Sequence, residues 1–344
     1  MTTLERKLAT IRTISDIKPI EGADLICTYI VDGWQVVSKV NEFLIGSPVV
    51  FIEVDSWVPH DLAPFLSKGK EPREYKGIKG EKLRTVKLKK TLSQGLILPM
   101  SVLPQDQEYC LGGDVTNTLN IIKWEQELPA NLRGNAKGTF PTFIPRTDQN
   151  RIQNVYPLMY QGKYANETFE VTEKLDGSSI TIYKHEGTIG VCSRNIDLKD
   201  ELDNTFWKAA HESGIISWLQ GSTVDNLAFQ GELVGPGIQG NSYELDNHTI
   251  YLFDIFDIKH QQYLHPAFRR SFFQEHLVFT NIQHTPIVHT SSEIEPLDTM
   301  LDNANGSSQL NPKAKREGYV FKSNSNPSRS FKVISNEWLL KSKE

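Results

Sequence analysis

The chain has 344 residues, with 38% hydrophobic and 23% charged residues, which suffices for two domains with their own cores and excludes wholesale disorder. It holds no long apolar run and no charged-then-apolar start, so neither a membrane span nor a secretory signal is expected. Three widely spaced cysteines, Cys27, Cys110 and Cys192, fit neither a disulfide framework nor a Cys-rich zinc site and point to a reducing, intracellular setting. The net charge of −5 conceals an asymmetry. Residues 68–90 carry ten Lys/Arg against three Glu, a net of +7, which leaves −12 for the remainder. Such a field suits a phosphate backbone, although a solvated lysine loop would read the same from charge alone.

In chain order, residues 1–118 read as a small all-β domain. A first strand is expected over 8–17, ended by Lys18-Pro19. Asp32-Gly33 between two apolar runs signals a type I′ hairpin. Further runs at 49–54, 83–88 and 95–98 bring the count to five or six short strands, which suits a barrel of the OB type. Trp34, Phe51 and Trp57 are either base-stacking platforms or core residues. Residues 119–150 lose periodicity, gain Gly, Pro and Asn, and read as an interdomain segment. From 151 to 344 strands and helices mix without regular βαβ alternation, so an α+β domain with mainly antiparallel strands is expected. Helices are expected over 202–219, interrupted by Gly214, and over 269–277 and 296–304. Strands are expected over 163–172, 180–185, 188–193, 226–234, 249–258, 317–322 and 330–334.

Two motif classes fail. Gly235-Pro236-Gly237-Ile238-Gln239-Gly240 matches the dinucleotide fingerprint, but the following residues lack the helical period that would bring a helix N-terminus to a pyrophosphate. The nine histidines show no zinc-ligand spacing.

The informative stretch is Lys174-Leu175-Asp176-Gly177, set between β-prone runs. Alternation places Lys174 and Asp176 on one face, and Gly177 allows a tight turn into the next run. Alone it reads first as a salt-bridged hairpin. Downstream, however, short polar clusters recur inside β-runs: Ser193-Arg194-Asn195, Gln230-Gly231-Glu232, Phe253-Asp254, Glu317 to Lys322, and Ser330 to Val333 around Lys332. Charges amid strand residues are costly to bury unpaired and so tend to line a wet or ligand-filled cleft.

In order and spacing this set resembles the covalent nucleotidyltransferase superfamily of ATP-dependent ligases and capping enzymes. Within it, the chain is most similar to nick-sealing RNA ligases with an N-terminal OB domain (the Deinococcus and Naegleria type), also through residues 83–88, 93–96 and 145–154. The resemblance implies that Lys174 attacks the α-phosphate of ATP, giving a lysyl-AMP. AMP then passes to an RNA 5′-phosphate and is displaced by a 3′-hydroxyl. It further implies that Asp176, Glu232 and Glu317 hold the waters of Mg²⁺ or Mn²⁺. Phe253 and Val320 would sandwich adenine, and Glu173 would help select it. Arg194 and Lys332 would bind phosphates, Asp254 would orient the site, and Lys322 and Arg151 are further phosphate candidates. Ile334 stands where the family often has a second lysine, so Lys332 acts alone or shares its role with Lys322. A free lysine is almost fully protonated at neutral pH, so burial and nearby cations are expected to lower the Lys174 pKa. The expected substrate is RNA or an RNA-containing nicked duplex, met by a monomer away from membranes. DNA ligases and GTP-using capping enzymes are the nearest alternatives. Both are disfavoured by the short stretch after Ile334, which leaves no room for a further OB domain. A non-catalytic nucleic-acid binder is disfavoured because the nucleophile and the carboxylates are all present.

Overall fold

The computed structural model describes residues 6–125, 134–201 and 203–341. The chain forms two compact units, residues 1–127 with 339–344, and residues 128–338. The expected interdomain residues 119–150 divide between them, and residues 126–133 lie outside the described residues.

The first unit is an antiparallel OB-fold domain. Pro48–Ile52 pairs with both Ala9–Thr13 and Leu96–Pro99. Asp16–Ile20, Ala23–Val31 and Trp34–Lys39 form a meander, while Ser56–Pro59, Ile78–Lys82, Arg73–Tyr75 and Ile122–Lys123 form a further sheet. Asp32 and Gly33 both take positive φ, 47° and 80°, across a two-residue loop, the type I′ turn that Asp-Gly favours. The expected first strand is in fact two, broken at Ile14-Ser15. Pro19 lies inside the second, which is an edge strand where a missing N–H costs no ladder bond. The expected run 83–88 also divides: Ile78–Lys82 ends before it, and only Val86–Leu88 is strand. Trp34 and Phe51 are 0% exposed and Trp57 is 2% exposed, which removes all three as base-stacking platforms. Buried aromatics of this size supply core area instead.

The second unit is built on two sheets. Seven antiparallel neighbours, Ala136–Thr139, Ile196–Leu198, Thr188–Cys192, Ser178–His185, Leu227–Val234, Thr249–Asp257 and Gln262–Tyr263, form the larger one. Gln283–His284 adds in parallel to the Thr249–Asp257 strand. The smaller runs Asn150–Arg151, Ser330–Ile334, Gly318–Ser323, Phe169–Lys174 and Ile287–Ser292. Helices Thr205–Glu212 and Ile215–Gly221 bury Trp207, Ala210, Ile215 and Leu219 against the larger sheet. Gly214 separates these two helices at φ 82°, and Asn204 caps the first through the Phe206 N–H. Helix Ile152–Tyr160 and helix Leu297–Asn303 cover the smaller sheet through Ile152, Val155, Met300 and Leu301. The glycine-rich segment 235–240 opens no α-helix, only a short 3₁₀ turn, Gln239–Asn241. Among the described residues, no helix is long and apolar enough to cross a membrane.

Candidate active site

The strand Phe169–Lys174 and the strand Ser178–His185 do not form a hairpin. The first is central in the smaller sheet and the second lies in the larger, so Leu175-Asp176-Gly177 is the crossing between sheets. Lys174 therefore stands at the end of a buried strand where the chain leaves one sheet for the other. Gly177 is not at positive φ. A Cβ there would come within 2.5 Å of the Leu233 carbonyl and 2.8 Å of the Glu232 side chain, so glycine is required for close approach rather than for a turn.

Three carboxylates gather on Lys174 from three places. Glu317 precedes the strand Gly318–Ser323, whose Gly318 pairs with Lys174, and its Oε2 accepts from Lys174 Nζ at 2.8 Å. Gly318 itself takes φ 155°, and a Cβ would strike the Val333 carbonyl at 2.1 Å. Glu232 comes from the larger sheet, opposite Ser179. Asp176 comes from the crossing, its backbone N–H donating to the Tyr243 hydroxyl at 2.7 Å. Tyr243 was not legible from sequence. It sits in the loop after the false dinucleotide fingerprint, with no period or motif to mark it, and packs on Leu175 and Val234.

This gathering sets the electrostatics. Burial pushes the Lys174 pKa down, but Glu317, Glu232 and Asp176 together outweigh it, so the net direction is up. The lowering expected from sequence rests on burial and nearby cations; among the protein's own groups the acids around the amine outweigh burial and the direction is up. Glu232 is pushed up to about 8 by burial and by the charges of Glu317 and Asp176, against the opposing pull of Lys174 and the Gly177 N–H. Three acids share one ammonium, an excess of negative charge that a divalent cation would relieve. Among the described residues, no three His, Cys, Asp or Glu side chains are grouped closely enough to ligate an ion directly.

The other sequence-predicted residues divide. Lys332 lies on Ser330–Ile334, opposite Val320 and beside Arg151 on the parallel Asn150–Arg151 strand. Ile334 is buried, in a place where a lysine would be costly. Phe253 is the extra residue of a β-bulge, since Gln230 pairs with Asp254 but Gly231 pairs with Leu252. Bulges re-aim side chains near sites, and Phe253 stays half-buried while its neighbours on both sides are buried. Val320, also half-buried, belongs to the other sheet. Glu173 is 1% exposed; its Oε2 accepts from the Gln309 N–H at 2.8 Å, and its Oε1 has no hydrogen-bond partner. Arg194 pairs with Asp148 at 2.6 Å on the surface.

Lys322 and Asp254 are not brought to Lys174. They pair with each other at 2.6 Å, both buried, in a network with Arg269 and Glu170. Burial pushes the Lys322 pKa down against the pull of Asp254. Sharing the phosphate role expected of Lys332 would require breaking this buried pair. Glu170 and Arg269 were missed by sequence reading, for lone charges in apolar strands and helices announce no partner.

The residues 167–334 match the RNA ligase family, and residues 8–100 match an OB-fold domain family. No curated protein matches the chain. Solved structures of Naegleria gruberi RNA ligase match at 43% identity over 98% of this chain and 99% of theirs. They include a lysine-to-alanine variant with ATP and Mn (TM-score 0.85), a lysine-to-methionine variant with AMP and Mn (0.86), and the ligase with PPi (0.84). A likeness of that identity along nearly the whole of both chains means that this chain belongs to the RNA ligase family.

Proposed function

We propose that the chain is an ATP-dependent RNA ligase that seals 3′-hydroxyl and 5′-phosphate ends at nicks in RNA-containing duplexes. The observation that carries this reading is Lys174, held between two sheets among Glu317, Glu232 and Asp176. In the first step Lys174 Nζ forms a bond to the α-phosphorus of ATP, and the bond to the β-phosphate oxygen breaks to release pyrophosphate. Glu317 Oε2, 2.8 Å from Nζ, is the acceptor placed to take the proton that the ammonium must lose. AMP then passes to the RNA 5′-phosphate, and the 3′-hydroxyl displaces it. A Mg²⁺ or Mn²⁺ ion held through its waters by Asp176, Glu232 and Glu317 would supply positive charge against these carboxylates and the transferring phosphoryl group.

Phe253 and Val320 hold the adenine faces. The Glu173 Oε1 acceptor suits the adenine amino group and would repel the oxygen that guanine carries at the same ring position. Arg194, Lys332 and Arg151 are assigned to phosphates, and the domain of residues 1–118 to the nucleic acid. The enzyme acts as a monomer in a reducing, intracellular compartment, which the free, exposed Cys110 fits.

Incubation with α-labelled ATP and Mg²⁺ or Mn²⁺ should yield a protein-bound AMP. No adduct would sink the reading, and labelling by GTP instead would favour a capping-type enzyme. Because Lys174 is held protonated, its neutral fraction rises as pH rises toward its raised pKa. Adduct formation should therefore accelerate from pH 6 to 9, by up to about tenfold per pH unit. A rate that falls over this range, measured by single-turnover labelling, would contradict an amine nucleophile held this way.

A further inference from the structure

The basic segment is not a loop. Arg73–Tyr75 and Ile78–Lys82 form one hairpin, turning at Lys76-Gly77, and Val86–Leu88 and Thr91–Ser93 form a second, turning at Lys89-Lys90. Both turns have positive φ at both central residues, 50° and 79° in the first and 48° and 67° in the second, which makes them type I′. Asn-Gly is the favoured occupant of such a turn, and a lysine there carries a Cβ penalty. Lys68, at the end of the 3₁₀ helix Pro64–Ser67, is also left-handed, at φ 52°. Among the described residues these four are the only lysines at positive φ, and every other non-glycine residue at positive φ is Asp, Asn, Glu or Gln.

The charge of this segment is largely unneutralised. Arg73 pairs with Glu81 at 2.5 Å, Lys79 with Glu71 at 3.2 Å and Lys82 with Asp55 at 3.4 Å. Lys68, Lys70, Arg84, Lys87, Lys89 and Lys90 are exposed and enter no ion pair among the described residues, and Lys76 stands over the Tyr75 ring. The second hairpin is tied down at its base, where the Val37 N–H donates to Ser93 Oγ and the Gln94 N–H to the Gln35 carbonyl. Beyond that base, Val86, Leu88 and the two turn lysines are all exposed. Leu92 and Ser93 of its return strand are buried, so the hairpin is anchored on that side while its turn and its other strand project. Lysines held at strained turn positions, on a projecting hairpin and without acid partners, place charge where it can meet a polyanion.

We infer that the two hairpin tips, Lys76 on one and Lys89 and Lys90 on the other, grip the sugar–phosphate backbone of the RNA substrate without reading its sequence. This rests on the ligase reading for the identity of the substrate, and on the OB domain's own geometry for the site.

The test titrates the full-length chain against a labelled nicked RNA duplex over a range of salt concentrations. The variant Lys76→Asn/Lys89→Asn/Lys90→Gly removes three charges while installing residues the turns prefer. It should bind roughly tenfold more weakly at low salt, with a slope of log affinity against log salt shallower by about two to three, and should melt no lower than the wild type. Wild-type affinity and slope in that variant would overturn the assignment. The charge-preserving Lys89→Arg/Lys90→Arg variant should retain binding; a loss as deep as that of the neutral variant would assign the effect to turn geometry and overturn it as well. A wild-type chain that binds the duplex but forms no adduct with labelled ATP would overturn the ligase reading and leave the hairpin assignment standing.

Discussion

Replacing Lys174 with arginine should abolish the covalent AMP adduct even though the positive charge is kept. The guanidinium can still meet Glu317, and its charge still opposes the burial and the neighbouring acids that push Glu232 up to about 8. What it cannot do is lose its proton, since arginine titrates about three units above lysine. The neutral nucleophile becomes scarcer by about a thousandfold or more, and the guanidinium spreads its electron pair over three nitrogens. Gel analysis after incubation with α-labelled ATP reads the adduct directly, and an adduct formed at the wild-type rate would refute Lys174 as the nucleophile. Lys174→Ala should lose the adduct equally but alter the site further, because Glu317, Glu232 and Asp176 then face one another without a counter-charge. The comparison separates the charge of this side chain from its reactivity.

How much of this was legible in the sequence depends on whether a residue acts locally or across the fold. The polar clusters around Lys174, Glu232, Phe253, Glu317 and Lys332 each stand inside a β-run, so their order along the chain was readable, and so was the OB-like count of short strands. What could not be read was pairing. Lys174-Leu175-Asp176-Gly177 looks like a hairpin because its two flanks have strand composition, and only the register shows that the flanks serve different sheets. Gly177 looked like a turn glycine for the same reason, yet its lack of a Cβ matters for the approach of Leu233 and Glu232, 55 or more residues away. The Phe253 bulge, one unpaired residue against the strand Leu227–Val234, leaves no compositional mark. The direction of the Lys174 shift among the protein's own groups is a balance between burial and three acids from separate segments, and the sequence gives no distances by which to weigh them.

The same long-range logic yields the largest effect expected on stability. Arg269, 1% exposed on helix Pro266–Phe272, donates to Glu170 of the smaller sheet and to Asp254 of the larger, 3.3 Å from the latter, while Lys322 holds the other Asp254 oxygen at 2.6 Å. Arg270 supports Glu170 from the other side. The network thus ties together both sheets, next to Phe253 on one and two residues from Val320 on the other. Arg269→Met keeps most of the volume but leaves two buried carboxylates each short of a donor. Breaking a buried pair in this way costs about 3–5 kcal/mol, enough to lower the melting of the catalytic unit by roughly 10 °C. Adding Asp254→Asn should recover part of the loss, because an amide is cheaper to bury than an unpaired charge. If the network also sets the spacing of Phe253 and Val320, the two residues proposed to hold adenine, the surviving Arg269→Met protein should show a raised KM for ATP while adduct formation at saturating ATP changes less. A thermal melt unchanged by Arg269→Met would mean that Arg270 and Lys322 satisfy both acids alone, and that the two sheets are held in register by their hydrophobic packing instead.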